Sequence, residues 1–156
     1  MTTAKTDDAC EVWFYHLERT GLDQVLPELL EKTLARGWKA LVRTGEPGRI
    51  EHLDGWLWSY RDDSFLPHAL AEEPNAERQP VLLTAGADNP NAADALFLVD
   101  GAEPGDLDGF TRCLVLFDGA DDSQLAEART LWSKIKRAGH PVSYWKQQAR
   151  GWEKQA

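Results

Sequence analysis

No stretch of the chain is apolar for long enough to span a bilayer, and the opening "MTTAKTDDACEVWFYH" lacks the basic-then-apolar order of a secretory leader. The expected location is therefore the cytoplasm. Cysteine is scarce: Cys10 and Cys113 form no CxxC pair, and both read as reduced thiols. A chain of 156 residues can bury a core without covalent staples. Catalytic signatures are missing too. There is no GxxxxGK[ST]. "GEPGR" (Gly45–Arg49) lacks the lysine, and Gly101, Gly105 and Gly109 have the wrong spacing for a dinucleotide turn. No GxSxG elbow occurs. His16, His52, His68 and His140 stand singly, none in HxxxH or HExxH, so no metal is expected. The acid pairs Asp62–Asp63 and Asp121–Asp122 read as loop solvation and helix capping. No catalytic residue and no cofactor is expected.

Positive charge is also short, and it is unevenly placed. The net charge is −9, yet from Arg129 onward seven basic residues and one acid give +6, leaving −15 on the first 128 residues. Such a body repels nucleic acid, so little or no direct contact with it is expected. A basic end on an acidic body suits a small anionic partner better than a long polyanion.

What is present is an alternation of strand and helix signals. "EVWFYHL" (Glu11–Leu17) reads as a strand. "GLDQVLPELLEKTLARG" follows with apolar residues at helical spacing, Asp23 as N-cap and Pro27 as an awkward insertion. "WKALVRT" is a second strand, and "PGRIEHLDGWLWS" a second helix interrupted by Gly55. Residues 60–80 read as polar connecting structure. "PVLLTA", "ALFLVDG" and "TRCLVLFDG" read as buried strands, "DDSQLAEARTLWSKIKRAG" as the clearest helix, "PVSYW" as a last strand, and the remainder as a polar tail. The expected fold is a single domain over 1–156, with about 1–9 and 147–156 as flexible ends. It is a three-layer α/β/α fold with a mostly parallel sheet covered on both faces.

Two constellations carry possible function. On the last helix, Leu125, Ala128, Leu131, Trp132, Ile135 and Ala138 make a core-facing stripe about 140° wide. Arg129, Ser133 and Lys136 fall beside Trp132 on one border. These cations are either stems lying along a hydrophobic boundary or a shallow cradle for a ligand with an aromatic group and a carboxylate. The second is "LDGWLWSYRDDSFLPHAL". Trp56 and Trp58 cannot share a helix face, so one of them is expected near the surface. With Phe65 and Pro67, Trp58 forms either a satellite cluster under a loop or a protein-docking hot spot.

Taken in order, "WFYHL", "LDGWLWSYRDDSFLPHAL", "PVLLT" and "ARTLWSKIKRAGHPVSYWKQ…GW" resemble the chi subunit family of bacterial DNA polymerase III over nearly the whole chain. The resemblance implies a non-catalytic accessory protein on a Rossmann-like sheet without a phosphate-binding loop. It implies a bridge between the acidic C-terminal tail of single-stranded-DNA-binding protein and the clamp loader, reached through the psi subunit. Arg129 matches the arginine of the tail-binding helix and Trp132 the aromatic one turn later, with Lys136 a weaker match; Leu125 and Ser133 stand where a lysine can occur. Trp58, Phe65 and Pro67 match the patch for psi, which also serves a helicase related to iron–sulfur DNA helicases. Alternatives are an adaptor mainly for a repair helicase, and a small α/β enzyme, which a polar pocket with convergent titratable groups would favour.

Overall fold

A computed structural model describes residues 10–59, 68–70, 73–86, 88–107, 109–149 and 151–156. Its elements are β1 (Glu11–Leu17), α1 (Leu22–Ala35), β2 (Ala40–Thr44), α2 (Arg49–Ser59), β3 (Ala69–Leu70), β4 (Val81–Thr84), β5 (Ala95–Val99), β6 (Arg112–Asp118), α3 (Asp122–Arg137), β7 (Val142–Gln147) and β8 (Trp152–Lys154). The eight strands form one sheet in the order β3-β4-β2-β5-β6-β1-β7-β8. Every pairing is parallel except β7 with β8. The expected α/β architecture is the one observed, and β3 and β8 add short edge strands to segments read as connecting structure and tail.

Central strands buried on both faces read as unbroken apolar runs, and β2, β4 and β5 are buried at every position. Alternate residues divide the core in two. Val12, Phe14, Leu96, Cys113, Val115 and Phe117 face the side covered by α3; Tyr15, Leu26, Leu30, Leu53, Phe97 and Leu114 face the side covered by α1 and α2. Cys10 and Cys113 are free and buried. Burial pushes the Cys10 thiol up to about 12 and holds that of Cys113 well above its ordinary value.

Two local expectations need correction. Asp23 does not cap α1: the N-cap is Gly21, with no side-chain cap, and Asp23 lies in the first turn. There its carboxylate meets His52 Nε2 at 2.9 Å and Arg49 at 3.7 Å, contacts from α2 that occupy the oxygens a cap would use. Gly55 does not interrupt α2, which runs unbroken from Arg49 to Ser59. Its cost of about 1 kcal/mol relative to alanine is offset by the buried Leu53 and Leu57 on either side.

Pro27 lies inside α1. Proline has no N–H for the carbonyl four residues earlier, which here is that of Asp23. The indole Nε1–H of Trp56, on α2, donates to this same carbonyl. A hydrogen bond between helices thus replaces the missing one within the helix, and it turns Trp56 inward.

Candidate functional site: two edges of the sheet

Asp121 caps α3, its Oδ1 accepting from the N–H groups of Ser123 at 2.9 Å and Gln124 at 3.2 Å. The helix ends before Gly139 in the left-handed region (φ 98°). Ala128 and Ile135 are buried, and Leu125, Leu131 and Trp132 pack partly buried against the core. The expected stripe is therefore in place, except that Ala138 is exposed at the helix end.

Trp132 lies over the sheet in two edge-on ring contacts, with Phe14 (centroids 5.3 Å, 66°) and Tyr144 (5.9 Å, 75°). Phe14 is fully buried, so the indole has a rigid floor while its outer part reaches the surface. Arg129, one turn earlier, is exposed, as are Ser133 and Lys136. All four expected residues are on one helix, and Arg129, Trp132, Ser133 and Lys136 share its flank toward β7 by helical spacing.

Sequence reasoning missed what lies beneath. His16 Nδ1 and the Tyr144 hydroxyl are 2.6 Å apart, and His16 Nε2 is 3.3 Å from Glu18, which also meets Lys146 at 3.5 Å. Burial raises the Tyr144 hydroxyl above its ordinary pKa, and the Arg129 charge pulls it partly back. Burial also lowers the His16 pKa below 6.5, with Glu18 opposing and Lys146 and Arg129 adding to the fall. This flank is thus an aromatic shelf with Arg129 and Lys146 beside it and Glu18 opposing them. The alternation that puts His16 on the same sheet side as Phe14 was legible; that Tyr144 shares this side and pairs with His16 follows from the β1–β7 register and was not.

The loop after β1 occupies the place where nucleotide-binding sheets hold phosphate on backbone amides. Here the N–H groups of Glu18, Arg19 and Thr20 all donate to one atom, Gln147 Oε1, at 3.0, 2.7 and 3.0 Å, while Gln147 Nε2 donates to Thr20 Oγ1 at 2.6 Å. A side chain from β7 fills the position an anion would take. Among the described residues, no group of three or more His, Cys, Asp or Glu is placed to hold a metal ion.

The second edge is the end of α2. Trp56 is half-buried and Trp58 is 50% exposed, the one large hydrophobic residue so exposed among those described. One face of the Trp58 ring rests on His68 (centroids 4.3 Å), which is buried and whose Nε2 lies 3.0 Å from Asp54 Oδ1. Phe65 and Pro67 lie outside the described residues.

A cavity of about 780 Å³ opens on the other flank of α3. Leu98, Val115, Phe117, Ala128 and Ile135 of its lining are buried, whereas Glu103, Asp106, Glu127 and Lys134 are exposed, so these charged groups stand at the rim rather than converging at the base.

A family described as "DNA polymerase III chi subunit, HolC" matches residues 10–143. Among relatives, "DNA polymerase III subunit chi" of Pseudomonas aeruginosa is 37% identical over 89 residues, 57% of this chain and 61% of that one. "Probable DNA polymerase III subunit chi" of Rickettsia prowazekii is 28% identical over 85 residues, 54% of this chain and 52% of that one. The alignments thus span less than two thirds of either relative. The family match covers most of the chain and runs through β1, α2 and α3, the elements that build both edges: the chain belongs to the DNA polymerase III chi subunit family.

Proposed function

We propose that this chain is a non-catalytic tether that holds the acidic C-terminal tail of single-stranded-DNA-binding protein on the Arg129–Trp132 flank of α3. The observation that carries this reading is the pairing of a half-buried indole, braced by Phe14 and Tyr144, with an exposed guanidinium one turn away. A terminal carboxylate takes two parallel hydrogen bonds from Arg129, while the aromatic side chain of the tail's last residue rests by Trp132. Lys136 and Ser133 extend the contact along the helix. Trp58, with Phe65 and Pro67, docks the psi subunit of the clamp loader or a helicase, and the exposed, braced indole supports that role. Two modest contacts joined in one chain raise the local concentration of polymerase machinery at coated DNA without any chemistry of their own.

The test is a titration with an acidic peptide ending in an aromatic residue, free or amidated at its C-terminus. Micromolar binding that fades on amidation and with added salt is expected. Equal binding of the amidated peptide would remove the carboxylate contact and the reading with it.

A further inference from the structure

β5 and β6 are parallel neighbours, and such neighbours are usually joined by a helix lying on the sheet. Residues 100–111 make this crossover with no helix among the described residues. Because α3 packs on β6, β1 and β7, the strip over β5 and its border with β6 stays open, and there the 780 Å³ cavity forms a groove. Its floor is Leu98, Val115 and Phe117 of the strands with Ala128, Leu131 and Ile135 of α3. It follows α3 from Gln124 to its C-cap Ala138, fifteen residues spanning about 21 Å.

The opposite wall is the crossover loop, and it is pinned from behind. Arg43, 4% exposed within β2, donates from Nη1 to the carbonyls of Pro104 (2.9 Å) and Glu103 (3.4 Å), and from Nη2 to that of Asp88 (3.3 Å). A Cβ on Gly45 would come within 2.4 Å of the Asp100 carbonyl and 2.8 Å of Gly101, so β2 and this loop touch backbone to backbone. The groove is formed before anything enters it. Of its charged residues, Glu127 stands in the first half of α3, where the start of the loop at Gly101 comes beside its carboxylate, Glu103 and Asp106 lie on the loop wall, and Lys134 is in the last turn of α3.

We propose that this groove receives an amphipathic helix from another subunit of the polymerase III assembly, about fifteen residues long, with an apolar stripe flanked by Lys or Arg. It lies where the chain's own crossover helix is missing and runs parallel to α3. Its length matches the groove, and an apolar floor of this extent takes residues at i, i+3, i+4 and i+7. Its direction follows from the charges, because the positive N-terminal end of the incoming helix meets Glu127 and its C-terminal carbonyls meet Lys134. The acidic character of the first 128 residues favours a basic partner here. The inference needs family membership and not the tail-binding reading.

A photo-crosslinking residue is placed at Thr130, exposed on the groove rim, and in a second protein at Ser133, exposed on the other flank. Each is incubated with the purified polymerase III assembly of the same cell, and the joined peptides are mapped by mass spectrometry. The Thr130 probe is expected to join one basic amphipathic segment of a polymerase III subunit. Glu127→Lys should reduce that product at least tenfold and Arg129→Ala should leave it unchanged. Absence of a Thr130 product, a product with an acidic segment, or a product with a second copy of this chain would overturn the proposal. The Ser133 product and its response to Arg129→Ala report on the tail site separately.

Discussion

The two flanks of α3 use one apolar stripe to opposite ends. Toward β7, Trp132 closes over Phe14 and Tyr144 and leaves a shallow aromatic shelf edged by Arg129 and Lys136. Toward β5 nothing of comparable size follows Leu131, the crossover has no helix among the described residues, and a groove with acids on its rim remains. Filling and charge are coupled on each side. A large aromatic ring leaves no depth but offers a surface for a terminal group, whereas small and aliphatic side chains leave a trough that suits a helix. On the proposed readings, one helix separates a site for an anion from a site for a cation-bearing partner, and the opposed charges would keep each ligand from the other's place.

The largest effect is expected from Arg129→Ala, which removes the proposed charge-assisted contact to the tail, worth about 1.5–3 kcal/mol. Tail-peptide affinity should fall about 10- to 100-fold by titration calorimetry, with the groove unaffected. Gly45→Ala strikes the other flank. The added methyl meets backbone atoms of residues 100–102, and overpacking of this kind costs about 1–3 kcal/mol. A lower melting temperature and faster amide exchange in the loop wall, with unchanged tail affinity, would set the two flanks apart. Gln147→Ala leaves three backbone N–H groups without their common acceptor. Solvent reaches most of them, so a loss of about 1 kcal/mol in chemical denaturation is expected.

The smallest effect concerns pH. Because the folded chain holds His16 below its unfolded value of 6.5, the unfolded state binds more protons in that window. Stability should therefore fall as pH drops below about 6.5, and His16→Gln should flatten this part of the melting-temperature profile.

The strand-helix alternation was legible because apolar runs and periodicity report burial directly, and β1 is observed at its expected bounds. The face of α3 was legible for the same reason. Less legible was everything decided between distant segments. Pro27 is tolerated because Trp56, on another helix, supplies its missing donor, and no local rule carries that. The pairing of Tyr144 with His16 needs the β1–β7 register. The groove lies beside a crossover with no helix among its described residues, and a Gly- and Pro-bearing stretch gives no sign in the sequence of the space beside it. Gln147 was read as tail, although its amide fills the turn after β1.

The most direct measurement is the two-dimensional amide and indole NMR spectrum of the isotope-labelled protein as the free-carboxylate tail peptide is added. The account predicts saturable shifts at Arg129, Ser133, Tyr144 and the Trp132 indole N–H, with Thr130, Lys134 and Gly101–Leu107 unmoved. Shifts centred on the groove or on Trp58, with Arg129 and Trp132 silent, would contradict it.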